Sequence, residues 1–174
     1  FFAHFEGVEK IEILDVGGTD YFWQHSLLLS HPGVRITLLN LHLEKTSHPA
    51  IQAVQGEATS MPEFGKDSFD LVFSNSVIEH VGSYQNQALF ASEVNRVCSK
   101  YMIQTPSIWF PLEPHSLLPL FQFIPHPVRA LLIMLFNINY FPKQKTYKEA
   151  LAVSRSTLMF STKRFQQIFP DATI

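Results

Sequence analysis

Only one cysteine, Cys98, occurs in the 174 residues, so no disulfide can close within the chain, and a metal site would have to draw on the eight histidines and the carboxylates. A lone thiol fits a reducing compartment. Charge is sparse: acidic and basic residues make up 16% of the chain, and the net charge of -2 leaves no basic footprint for counterion release from nucleic acid. No nucleic-acid partner is expected. Long apolar runs are also missing, the longest unbroken one in the apolar part of the chain being Ala130 to Phe136. A membrane-spanning helix needs about 20 apolar residues, which excludes a transmembrane segment. No basic stretch followed by an apolar run and a small-residue cleavage site opens the chain, so no secretory signal is expected. The sequence starts at Phe1 rather than methionine, which reads as residues missing upstream. The expected location is cytoplasmic, at most peripheral to a membrane.

What is present is enough apolar material, 46% of residues, for one substantial core, and the length predicts a single domain over 1–174. Short apolar runs bounded by turn residues recur as EILDV (12–16), VRITLLN (34–40), IQAVQ (51–55), FDLVFS (69–74) and YMIQT (101–105). They are too short for independent helices and read as strands buried on both faces. Between them, 21–30 and 83–99 have helical patterns; in the second, Leu89, Phe90, Val94 and Val97 share an apolar face, with Glu93, Arg96 and Lys100 elsewhere. Alternating strands and helices predict an α/β fold: a Rossmann-like three-layer α/β/α sandwich on a mostly parallel sheet, with ligands beyond the carboxyl ends of the strands.

The stretch IEILDVGGTDYFW (11–23) runs from an apolar strand through one aspartate into two glycines. Glycine there lets the backbone turn sharply and a ligand approach closely. A dinucleotide site would need G-x-G-x-x-G, and this loop offers G-G-T-D-Y-F, without the third glycine and with an aspartate where a pyrophosphate would bring negative charge. A ligand-free tight turn is the plain alternative.

Downstream, VQGEATSMPEFGKDSFDLVFSNSVIEHV (54–81) resembles the region from the third to the fourth strand of class I methyltransferases of the small-molecule, type 11 kind, and ILDVGGT resembles a variant of their first motif. The resemblance runs from about Ile11 to Phe169 and implies S-adenosyl-L-methionine as cofactor. By that resemblance Asp15, Gly17, Gly18 and Thr19 would hold the cofactor's methionine end, Asn40 and Leu41 its ribose, Glu57 and Ala58 its adenine, and Asn75 and Ser76 the floor beside its methyl group. Asn40 departs from the acid usual at that position, and Glu44 is a possible replacement. Each residue also has a plain reading: Asp15 as a cap or brace of its own loop, Glu57 as a solvated surface acid, Asn75 and Ser76 as helix caps. Gly17→Val is expected to block the ligand while sparing the fold.

Methyl transfer is an in-line displacement in which the protein supplies alignment and dryness, and a hydroxyl or amine acceptor gains from a general base. His80, in IEHV after the fourth strand, and His115, in EPH, are the catalytic candidates, although a histidine at a strand exit often fixes a backbone carbonyl. Metal: none is expected, because the histidines are scattered along the sequence. The aromatic, proline-rich segment at about 106–142, which includes TPSIWFPLEPHSLLPLFQF, looks like an enlarged lid; an interfacial surface, a dimer contact and a plain cover for the sheet compete with it. Polar-faced helices are predicted at 143–156 and, capped by Ser161, at 161–170. The antiparallel hairpin that usually ends such a sheet does not follow before Ile174, so the chain reads as a fragment. The function expected is methyl transfer to a small or lipid-like acceptor, with a noncatalytic cofactor- or partner-binding module on the same fold as the rival.

Overall fold

The computed structural model describes residues 9–174; the opening residues, where no secretory signal is expected, lie outside them. Two compact units divide the chain: one runs through Ile78 and resumes over Ala88–Gln104, and the other comprises Glu79–Gln87 and Thr105–Ile174.

In the first unit, β1 (Ile11–Val16), β2 (Val34–Asn40), β3 (Ile51–Gln55), β4 (Leu71–Asn75) and β5 (Tyr101–Gln104) form a parallel sheet in the order β3-β2-β1-β4-β5. All five expected strands are present, with ends displaced by no more than two residues. Ile11 pairs with Val34 and Ile13 with Leu71, so alternate residues of three strands stack on one face. With Trp23 of the short helix α1 (Asp20–Gln24) they make the core cluster Ile11, Ile13, Val34, Ile36, Leu38, Leu71 and Phe73. Leu14, Leu39 and Val72, which alternate with them, are buried too. Burial on both faces therefore holds for the three inner strands. It fails for β3 and β5, which are edge strands and half-buried.

The helix expected over 21–30 breaks in two. α1 ends at Gln24, and Ser26 caps a separate 3-10 turn, Leu27–Ser30, by accepting the Leu28 amide at 3.3 Å. Helix α2 (Tyr84–Val97) follows its pattern more closely, with Phe90, Val94 and Val97 buried, but Leu89 is 47% exposed. Its polar residues do more than face water. Glu93 accepts the Met61 amide at 2.6 Å and pairs with Arg96 at 2.7 Å, while Arg96 donates to the carbonyls of Met61 and Phe64, each at 2.8 Å. This clamp ties down the loop that follows β3.

The second unit begins with Glu79 and His80 of a single 3-10 turn, Ile78–His80. It contains a small antiparallel pair, β6 (Leu112–Glu113) and β7 (Leu118–Pro119), and the helices α3 (His126–Leu135), α4 (Tyr147–Arg155) and α5 (Thr162–Ile168). Pro127 in the first turn of α3 has the fixed φ that a helix start tolerates. Thr146 and Glu149 form a reciprocal capping box on α4, and Ser161 caps α5 as expected. Phe121, Ala130, Ile133, Ile138, Phe141 and Ala150 close the core of this unit. No helix among the described residues is long and apolar enough to cross a membrane.

Adjacent positions on α2 provide a test of this packing. Phe90→Ala should cost about 3–5 kcal/mol, because a fully buried ring leaves a cavity. Leu89→Ala should stay within about 0.5 kcal/mol. Urea unfolding of both variants checks this, and similar losses at the two positions would contradict the placement of the helix face.

Candidate functional site

The sheet order reverses beside β1: β2 and β3 lie on one side of it, β4 and β5 on the other. At such a switch point the loops leaving the two strands diverge and open a crevice. The expected cofactor residues fall at the carboxyl ends of four neighbouring strands: Asp15, Gly17, Gly18 and Thr19 at β1, Asn40 and Leu41 at β2, Glu57 and Ala58 just after β3, and Asn75 and Ser76 at β4. The buried Ser74 hydroxyl donates to the Val16 carbonyl at 2.9 Å and fastens β4 to β1 at that point.

Asp15 is buried, and its Oδ2 accepts the indole N–H of Trp23 at 2.6 Å. Its Oδ1 has no hydrogen-bond partner among the described residues. Burial pushes the carboxyl up from 3.8 to about 7, against the lowering effect of the Trp23 bond. Asp15 thus braces its loop rather than capping α1. The glycines answer to the same packing: a Cβ on Gly18 would collide with the Asp15 carboxylate. Gly17 has φ +78°, and a Cβ there would run into the side chain of Val77. This corrects the expectation for Gly17→Val, which would strain the backbone and the packing before any ligand came into play. Thr19 is exposed, and its side chain makes no capping bond to α1.

Asn40 donates its amide to the Gly18 carbonyl at 2.8 Å, a bond that an ionised acid could not make. The departure from an acid at this position thereby has a structural reason, and the side-chain oxygen of Asn40 remains an acceptor for a hydroxyl. Leu41 is 61% exposed. Glu57 is exposed and accepts the Thr59 hydroxyl at 3.2 Å, with Ala58 half-buried beside it. Asn75 and Ser76 are exposed, and Ser76 holds φ +57°, a left-handed conformation uncommon outside glycine and frequent at functional sites. Its amide donates to the Gln104 carbonyl at 2.9 Å, which fixes the turn.

The second unit brings together what the sequence separates. Nε2 of His80 and Nε2 of His115 lie 3.1 Å apart, with the rings nearly perpendicular at 86°. The expectation that the histidines are scattered fails for this pair. Glu113, buried, accepts Nδ1 of His115 at 2.7 Å, the His115 amide at 3.1 Å and the Ser116 amide. Burial would raise Glu113, but these donors outweigh it and hold the carboxyl at about 2. The same bond raises His115, while desolvation and the neighbouring His115 lower His80. Glu79 is wholly buried: Thr105 donates to its Oε2 at 2.9 Å, and its Oε1 has no hydrogen-bond partner among the described residues. Burial raises its carboxyl.

Glu79, Glu113 and Trp23 were not singled out from sequence, although the two acids stand in the I-E-H and E-P-H triplets around the chosen histidines. Glu113 also lines a cavity of about 140 Å³ in this unit with Tyr84, Gln122, His126 and Arg129. The Arg129 Nε there has no hydrogen-bond partner among the described residues.

A parallel α/β sheet with a glycine turn and polar strand ends at its switch point defines a Rossmann-like nucleoside-binding fold. Residues 26–101 match a family model described as a methyltransferase domain, and this match together with the fold supports a class I S-adenosylmethionine-dependent methyltransferase. That family implies S-adenosyl-L-methionine as the cofactor. Among solved structures, the chain is similar to a Haloferax volcanii protein described as a methyltransferase, in complex with the Trm112 methyltransferase activator (TM-score 0.55, 13% identity, 95% of this chain and 62% of that one). It is similar also to a protein from Nostoc punctiforme described as an O-methyltransferase (0.55, 10%, 97% and 46%). A third likeness is to a Rhodobacter sphaeroides protein described as a Zn-dependent alcohol dehydrogenase (0.59, 10%, 95% and 74%). At such identities the likeness shows the fold alone, and this chain spans less than two thirds of the first two. No curated protein matches the chain in sequence.

Asp15 makes folding depend on pH in a definite direction. Between its ordinary 3.8 and about 7 the folded chain keeps a proton that the unfolded chain has lost, so its contribution to stability falls as pH rises through that window. Glu113 acts the other way and at lower pH, its stabilisation disappearing as pH falls from 4.5 towards about 2. Asp15→Asn should therefore gain on the wild type from pH 4 to pH 7. Parallel urea midpoints for the two proteins across that range would contradict the buried, raised carboxyl.

Proposed function

We propose that the chain transfers a methyl group from S-adenosyl-L-methionine to a small, largely apolar acceptor. One observation carries this reading: the buried Asp15 Oδ1, without a partner, lies at the head of four adjacent strand ends that all present polar groups. A cationic ammonium is the partner such an oxygen lacks. When bound, the cofactor supplies an electrophilic methyl group on a sulfonium. Asp15 holds the charged end, Gly17, Gly18 and Thr19 pass beneath it, Asn40 and Leu41 take the ribose, Glu57 accepts the adenine amine beside Ala58, and Asn75 and Ser76 line the methyl end. His80 and His115 are the general-base candidates for a hydroxyl or amine acceptor.

The acceptor's apolar character is read from the second unit. Trp109 and Phe110 are 70% and 56% exposed, and Leu117, Leu118, Leu120 and Phe123 are exposed with them. A mere cover for the sheet would bury that tryptophan and phenylalanine. Surface of this kind favours a lid that closes on apolar substrate. A noncatalytic module on this fold would bind the cofactor and leave the acceptor untouched.

Calorimetric titration with S-adenosyl-L-methionine, its demethylated product and the nicotinamide dinucleotides tests the cofactor. The first two should bind and the dinucleotides should not. A cation beside Asp15 displaces its proton, so at pH 6 binding should release roughly one proton, and at pH 8 almost none. Glu57→Ala should weaken the cofactor about tenfold or more. Binding of a dinucleotide instead, or proton release unchanged between the two pH values, would refute the assignment.

Trp109→Ala tests the lid. Being largely exposed, the residue should cost no more than about 0.5 kcal/mol of stability, while the variant should lose preference for longer acceptors, worth roughly 0.8 kcal/mol per buried methylene. A large loss of stability with chain-length preference intact would show Trp109 to be core instead.

A further inference from the structure

The meeting of His80 and His115 poses a chemical question. Two neutral imidazoles with lone pairs facing one another at 3.1 Å would repel, so something must sit between them: a proton held by one ring, or a cation held by both. Two observations favour a cation. First, the ring of His115 is already committed through Nδ1 to Glu113 at 2.7 Å, the carboxylate–histidine arrangement that turns the remaining Nε2 towards a metal. Second, Glu79 is 0% exposed, and one ligand atom from each of Glu79, His80 and His115 lies within 4.8 Å of the others. A hydrogen bond between the rings does not account for a buried carboxylate converging on both of them.

We propose that Glu79, His80 and His115 form a binding site for one divalent transition-metal ion of the zinc class. Two imidazole nitrogens and one carboxylate oxygen suit zinc or cobalt, whereas magnesium and calcium favour sites built of oxygen. Nitrogens bound at 2.0–2.1 Å to a four-coordinate ion stand roughly 3.3 Å apart, close to the 3.1 Å between the two Nε2 atoms. Thr105 holds one oxygen of Glu79 at 2.9 Å and Glu113 holds His115, so two of the three ligands are already oriented by partners of their own. Three protein ligands leave a fourth position open, which an oxygen or nitrogen of an acceptor can take. The site lies wholly within the second unit, and its existence does not depend on methyl transfer.

The test uses the full chain without a polyhistidine tag, stripped by a chelator and titrated with Co²⁺, whose four-coordinate complexes absorb strongly in the visible. One equivalent should bind, with Zn²⁺ displacing it. His115→Ala and Glu79→Gln should each weaken binding at least tenfold; the glutamine can still accept from Thr105, so that variant should fold, as circular dichroism checks. Glu113→Gln should weaken it roughly 10- to 100-fold while leaving the same spectrum. His25→Ala, outside the site, should change nothing. Absence of stoichiometric Co²⁺ binding by the folded wild type, or equal binding by a folded His80→Ala/His115→Ala double variant, would overturn the site and leave a proton shared between the rings. Cofactor titration of the same samples separates the two readings, since loss of the metal site alone should leave S-adenosyl-L-methionine binding in place.

Discussion

Asp15 ends the central strand with one carboxylate oxygen on the Trp23 indole and the other without a partner, and much of the first unit is arranged around it. Gly18 has to lack a side chain because the carboxylate occupies the space. Trp23 has to be buried to reach it, which brings α1 against the sheet and adds the indole to the core beside Phe73. Asn40 then fastens the Gly18 carbonyl from the neighbouring strand. An ionised acid with one unsatisfied oxygen is costly in such a place, and it can escape the cost by taking a proton or by meeting a cation. The loop is therefore left with an acid that either a proton or a cation can satisfy.

Glu113 shows what the same chemistry does when satisfied. Also buried, it collects three donors within three residues of itself and stays ionised far below the usual range. Its effect is orientation: His115 has one ring nitrogen fixed, and the other is left to meet His80. Glu79, like Asp15, has a single side-chain donor, the Thr105 hydroxyl, and burial raises its carboxyl. In all three acids the donors supplied by the chain itself, set against burial, decide the direction in which the carboxyl shifts.

The aromatic segment divides along similar lines. Phe121 and Phe141 turn inward with α3 and α4, whereas Trp109, Phe110 and Phe123 remain outside. Composition alone made these rings equivalent, although only the inward set holds the second unit together. In the outward set Trp109 and Phe123 pack on one another, with ring centroids 5.7 Å apart, and stay at the surface of the unit.

Much of the fold could be read from the chain because its signals are local. Five apolar runs between turn residues specified five strands almost to the residue, Ser161 announced α5, and the glycines after Asp15 marked the turn at the carboxyl end of β1. Periodicity and capping act over a few residues, and no distant partner is needed to decide them. The sequence misled where the outcome depended on neighbours: β3 and β5 proved to be edges, Leu89 turned outward, and 21–30 broke at Ser26. Side-chain chemistry was the least legible. His80 and His115 were recognised one at a time, but a contact across 35 residues has no local signature, so neither their pairing nor the roles of Glu79 and Glu113 could be foreseen. The sequence by itself determined which segments could form strands and helices, since that is local backbone energetics. Only the tertiary structure decided which acids were left short of donors and which donors converged, because both depend on how chain distant in sequence is packed together.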